Sequence, residues 1–147
     1  MPQTIEYIDA IARRIKRDVM FVIFHSPSES SNLEKISNYL NDIEFNWRSC
    51  QTRTDLIAWL DSNGIGWTPC GHVGNPKIMA GYRGQIYIDL PYDVASPVYQ
   101  ALDKYLELPD GQSRFQDATF CVLGLGVAMK NAAHDEPGFW EKQANDF

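Results

Sequence analysis

The chain has 147 residues, 19 acidic against 13 basic, for a formal net charge of −6, and is 44% hydrophobic and 12% aromatic. That length suits one domain, and that apolar and aromatic content excludes a disordered chain. The acidity argues against a sequence-independent nucleic-acid binder, which needs basic surface to displace phosphate counterions, and no apolar run approaches the ~18 residues of a membrane span.

The first residues, MPQTIEYIDAIARRIKRD, place their basic groups after the apolar ones and carry Glu6 and Asp9. This is the wrong order for a secretory signal and too acidic for a mitochondrial presequence, so the expected location is the cytoplasm. Cys50, Cys70 and Cys121 are odd in number, widely spaced and without a CxxC pair, which fits reduced thiols.

In chain order, Ile5, Ile8, Ala12 and Ile15 mark one apolar stripe of a first helix over 1–17, with Thr4 placed to cap it and Arg13, Arg14, Lys16 and Arg17 crowding its last turn. Val19 to Phe24 (VMFVIF) reads as a central strand buried on both faces. A polar loop follows, and Ser31 with Glu34 forms a capping box opening a helix whose buried face is Leu33, Ile36, Leu40 and Ile43. Phe45 to Arg48 is expected as a short strand. A further helix runs from about Thr54 to Ser62, through Leu56, Ile57, Trp59 and Leu60, and stops at Asn63-Gly64.

Lys77–Tyr82 and Gln85–Leu90 read as a β-hairpin turning at Arg83-Gly84, with Tyr87 and Asp89 on its outward face. Ser96-Pro97 opens a helix with the stripe Val98, Leu102, Tyr105 and Leu106. Pro109-Asp110-Gly111 is a turn, Thr119 to Leu125 a strand, and 127–133 a short helix. Pro137 precedes a last amphipathic piece with Phe139 and Trp140. The order predicts one globular domain over 1–147, of mixed α/β class, with helices on a small, largely antiparallel or mixed sheet. The early strand–helix–strand portion is a candidate parallel pair.

Four stretches invite chemistry. The loop His25, Ser26, Ser28, Ser31 lies between a strand end and a helix start, where an anion can bind. It holds no glycine for close backbone approach and no G-x-S-x-G elbow, so it reads equally as a capped polar loop. Cys70-Gly71-His72 suggests zinc, but the other Cys and His residues are scattered singly and a tetrahedral site needs four ligands. No metal, cofactor or catalytic residue is therefore expected. Tyr87, Asp89, Tyr92 and Asp93 combine aromatic area with carboxylates, as protein-binding surfaces do. Asp135 and Glu136 beside Trp140 repeat that combination.

Residues 1–17 carry four basic and two acidic groups, a net +2, which leaves −8 on residues 18–147. The expected function is non-enzymatic binding of a basic protein partner through Tyr87, Asp89, Tyr92, Asp93, Asp135, Glu136 and Trp140. By class analogy this suits a bacterial immunity or antitoxin-type protein that blocks a cationic, nuclease-like toxin, with carboxylates standing in for substrate phosphates. The alternatives are a small-molecule or anion-binding domain, or a hydrolase-like enzyme, using His25, Ser26, Ser28 and Ser31, and a structural homo-oligomeric module.

Overall fold

The computed structural model describes residues 5–27, 31, 34–35, 45–72, 74 and 82–139. Four strands form one antiparallel sheet: β1 (Val19–Phe24), β2 (Gly66–Pro69), β3 (Ile86–Asp89) and β4 (Ala118–Leu123), in the spatial order β2-β3-β1-β4. Among the described residues, four α-helices accompany it: α1 (Ile8–Ile15), α2 (Gln51–Ser62), α3 (Pro97–Leu106) and the short α4 (Leu125–Ala128). A 3₁₀ turn covers Trp47–Ser49 and a second one Met129–Asp135. The mixed α/β class holds. The sheet contains no parallel pair among the described residues, where Tyr7 and Gly71 form an isolated parallel bridge.

β1 is an interior strand, as its unbroken apolar run implies. Met20, Val22 and Phe24 point to one face, with Ile86, Ile88, Ala118 and Phe120. There they pack on Leu56 and Leu60 of α2 and on Tyr99, Leu102 and Leu106 of α3. Val19 and Tyr87 belong to the other face, under Ile8, Ile11 and Ala12 of α1 and Ala128 of α4, with Phe21 and Leu123 packed alongside. Because strand side chains alternate, covering both faces makes three layers. Burying each such Leu, Ile or Phe stabilises the fold by roughly 1.5–3 kcal/mol.

The second covered face changes the reading of β3. Tyr87 does not stand outward: it is 5% exposed, beneath α1. The hairpin is also replaced. Over 86–88, β3 pairs with β1 on one edge (Ile86↔Val22, Ile88↔Met20) and with β2 on the other (Ile86↔Pro69, Ile88↔Trp67). The segment 77–81, most of the first arm expected of the hairpin, lies outside the described residues. The turn before β3 is closed by Gln85 instead: Arg83 N donates to its side-chain Oε1 at 2.8 Å, and the Tyr82 hydroxyl to its carbonyl at 2.9 Å.

Other local expectations differ for identifiable reasons. Phe45–Arg48 is not a strand, because the Asn46 side chain accepts from Arg48 N at 3.2 Å and turns the chain into the 3₁₀ segment. α2 begins at Gln51, three residues before the expected Thr54. In α3, Ser96 caps as expected, accepting from Tyr99 N at 3.4 Å, with Pro97 first. Val98, however, is exposed and Tyr99 takes the buried position. The expected helix at 127–133 resolves into α4 and the second 3₁₀ turn, with α4 capped from afar: Leu125 N donates to Asp18 Oδ1 at 2.7 Å. The capping contact at Ser31 forms, Glu34 N donating to Ser31 Oγ at 3.3 Å. Leu33, Ile36, Leu40, Ile43, Thr4 and Trp140 lie outside the described residues.

Of the described glycines with positive φ, Gly64 and Gly84 hold it in different surroundings. Gly64 (φ +67) ends α2 in open space, as the sequence implied. Gly84 (φ +89) lies against Trp47, where an added Cβ would come within 2.6 Å of the Trp47 Cβ. Gly84→Ala is expected to lower stability by roughly 2–4 kcal/mol, combining backbone strain with overpacking, and Gly64→Ala by ~1 kcal/mol from strain alone. Urea unfolding midpoints of the two variants test this; equal losses would contradict the packing of Gly84 on Trp47.

Candidate functional site

The cations of α1 reach the acidic segments singled out in the sequence. Arg13 and Arg14 lie within α1, and Arg17 lies just past its end. Arg13 is buried. Its Nε and one terminal nitrogen hold both oxygens of Asp135, at 2.7 and 2.9 Å, and its other terminal nitrogen donates to Asp9 Oδ2 at 2.9 Å and to the Ala128 carbonyl at 3.0 Å. Asp9 is 0% exposed and also accepts from Gly74 N at 2.8 Å and from the Asn131 amide at 2.9 Å. Burial pushes the Asp9 carboxyl up, but these hydrogen bonds and the Arg13 charge outweigh it and hold the carboxyl below its ordinary value. Asp135 is lowered chiefly by the hydrogen bond from Arg13, and the pair in turn holds the guanidinium protonated.

Arg17, just past the left-handed Lys16 (φ 59) that ends α1, donates to Asp89 Oδ1 at 3.0 Å and to the Tyr87 hydroxyl at 3.2 Å. The Tyr87 hydroxyl itself donates to Asp89 Oδ1 at 3.0 Å. Arg14 holds Glu6 with two bonds of 2.9 Å. Of the acids expected on the contact surface, Asp89 and Asp135 are therefore in internal ion pairs. Asp93 and Glu136 have no cation partner among the described residues.

The chain beyond β3 is different. From Pro91 to Val98 most residues are exposed, including the apolar Tyr92 (41%), Val94 (61%) and Val98 (43%). The segment is well braced. Tyr92 meets Tyr99 edge-on at 5.3 Å, Asp93 accepts from Ala95 N at 3.0 Å, and Ser96 N donates to the Asp93 carbonyl at 3.0 Å. Asp103 follows Tyr99 by one helical turn on α3, and Glu107 comes just past the helix end. Burial, reinforced by the hydrogen bond and charge of Asp103, raises the Glu107 carboxyl from 4.5 to about 7. The four-residue acid–acid spacing was visible in the sequence; the half-buried setting that makes it titrate near neutrality was not.

The remaining candidates are held in internal bonds. His25 is buried, with Nε2 3.0 Å from Thr119 Oγ1 and Nδ1 3.0 Å from the Ser26 carbonyl. Ser26 and Ser31 are exposed, and Ser28 lies outside the described residues. The loop residues are thus split between core and surface. Cys70 is fully buried, where desolvation raises its thiol far above the ordinary range, and the His72 ring stands 3.3 Å from the Gln85 amide. Among the described residues no three His, Cys, Asp or Glu side chains converge on a point suited to a metal ion. No described helix is long and apolar enough to cross a membrane. Trp59 stacks on Tyr105 at 4.9 Å and the Trp67 indole donates to Asp61 at 3.0 Å, so both serve packing. Sequence reasoning missed the grouping of Trp47, Arg48 and Arg53, because the ring contacts depend on the unanticipated 3₁₀ turn.

Comparison with models of protein families, with curated proteins and with solved structures finds no match to this chain.

Two outcomes are expected from the electrostatics. Arg13→Ala leaves Asp9 buried without its cation and should lower stability by about 3–5 kcal/mol, whereas Asp135→Ala removes a half-exposed partner and should lower it less; the reverse order in chemical denaturation would contradict the buried network. For Glu107 the folded-state pKa is raised, so its stabilising contribution is fully present below 4.5 and is lost as pH rises through about 7. The wild-type urea midpoint should accordingly fall across that interval through this group, and Glu107→Gln should flatten the fall; identical pH profiles would contradict the assignment.

Proposed function

We propose that the chain is a non-enzymatic protein-binding domain whose contact surface is the segment Asp89 to Val98. The observation that carries this reading is the run of exposed apolar side chains Tyr92, Val94 and Val98 on a braced loop and helix start. Such a surface binds with little ordering to oppose it, since Tyr92 is already fixed by Tyr99 and the loop by Asp93 and Ser96. Tyrosine contributes a large amphipathic area at an interface centre, with charge at the rim for steering.

The charge points to a basic partner. The chain carries a net −6, and Asp93 and Glu136 remain without an internal cation among the described residues, so they are available to steer association. By class analogy, a small acidic protein presenting a compact aromatic and carboxylate patch suits an immunity or antitoxin role, in which it covers the active site of a cationic, nuclease-like toxin in a bacterium. The competing use of His25, Ser26, Ser28 and Ser31 as a ligand loop has less support, because the His25 ring is buried and bonded to Thr119.

The test is affinity purification with wild type and with Tyr92→Ala/Val94→Asp, both first checked for an unchanged unfolding midpoint, followed by association kinetics with any retained protein. The expected result is a basic protein bound by wild type and lost from the variant, consistent with removal of ~2 kcal/mol or more at an aromatic anchor. Asp93→Lys should slow association and reduce its dependence on salt. Retention of the same proteins by wild type and variant would overturn the proposal.

A further inference from the structure

Against the acidic balance of the chain, one surface is cationic. Arg48 and Arg53 both lay their guanidinium groups on the indole of Trp47, 4.6 and 4.7 Å from its ring centroid, and Tyr82 meets the same ring edge-on at 5.0 Å. The platform is fixed from below by Gly84, whose missing Cβ makes room for Trp47, and from the side by Asn46, which accepts from Arg48 N at 3.2 Å. Arg53 donates Nε to the Gly84 carbonyl at 2.7 Å and a terminal nitrogen to the Tyr82 hydroxyl at 3.1 Å, so its acceptors are neutral. Among the described residues the Arg48 side chain is held by the ring of Trp47 and by no hydrogen bond.

Arg13 and Arg14 of α1 and Arg17 just past its end each hold a carboxylate, whereas Arg48 and Arg53 hold none among the described residues. The nearby acids are otherwise engaged: Asp55 accepts from the Gln51 amide at 2.7 Å and Asp117 from the Thr52 hydroxyl at 3.0 Å. Two like charges on one ring, neither paired with a carboxylate among the described residues, are an arrangement that a doubly charged acceptor would neutralise. A carboxylate neutralises one guanidinium; a phosphate monoester dianion matches the charge of both and offers three oxygens to the Arg48 fork and to the Arg53 donors not used by Gly84 and Tyr82.

We propose that Trp47, Arg48 and Arg53 form a binding site for a phosphate monoester dianion, separate from the Asp89–Val98 surface. The site is tested by following the Trp47 indole N–H resonance while titrating intact protein with inorganic phosphate, phenyl phosphate, a phosphoserine peptide and, as the carboxylate control, glutarate. Saturable shifts with the phosphates, stronger above the second phosphate pKa of about 6, are expected. Arg48→Gln should weaken them about 10-fold while leaving the unfolding midpoint unchanged, since that side chain makes no hydrogen bond to the described residues. Tighter binding of the peptide would assign the phosphate to a modified protein, and equal binding of phenyl phosphate to a free ester; both support the site. No saturable shift, the same shift in Arg48→Gln, or glutarate binding as tightly as phosphate would overturn it.

Discussion

Arg13 lies buried between two carboxylates and a carbonyl, and the layer that α1, α4 and the second 3₁₀ turn build on the sheet is organised around it. A guanidinium taken out of water is tolerated only where its donors are met, and here they are met by segments far apart in sequence. Asp9 comes from the same helix, Asp135 from 122 residues on, and the Ala128 carbonyl from the end of α4. Gly74 N serves the other oxygen of Asp9, Oδ1, and the Asn131 amide shares Oδ2 with Arg13. Apolar burial of Ile8, Ile11 and Ala12 drives α1 onto the sheet. The ionic network then sets its orientation, because hydrophobic contact is not directional and these bonds are.

The same helix alters what the acidity of the chain means. The sequence separates into a basic first helix and an acidic remainder, which suggests carboxylates free for a partner. In the fold the cations of this first segment meet Glu6 of their own segment and two acids of the remainder, Asp135 and Asp89, so two of the carboxylates expected to face a partner are paired internally. The surface left for association is then defined more by exposed Tyr92, Val94 and Val98 than by a dense acidic cluster. Charge in this setting directs approach, and the apolar patch supplies the affinity.

The elements legible in the sequence were those whose signals are local. β1 is recognisable from six consecutive apolar residues, the start of α3 from Ser96-Pro97, and the end of α2 from Asn63-Gly64. Elements fixed by distant partners were not legible. β3 has the composition of a hairpin arm, yet it pairs with β1 and β2, and no local turn chemistry records that choice. Tyr87 alternates as an outward residue should in a sheet with one covered face, and becomes a core residue only because α1 covers the second face. Within the candidate surface, Tyr92 and Asp93 were identifiable by type and position. The pairing of Asp89 with Arg17 and of Asp135 with Arg13 was not, since each bond joins residues 72 and 122 positions apart.

The most direct measurement is a carbon-13 NMR titration of the side-chain carboxyls of the intact protein, with Asp9 and Asp135 assigned. Both are expected to titrate below the ordinary aspartate value of 3.8, Asp135 through the bond from Arg13 and Asp9 through its several donors despite burial. If Asp135 titrated in the ordinary range and Asp9 above it, Arg13 would not be holding the two carboxylates, and the internal neutralisation on which the remaining surface is defined would be contradicted.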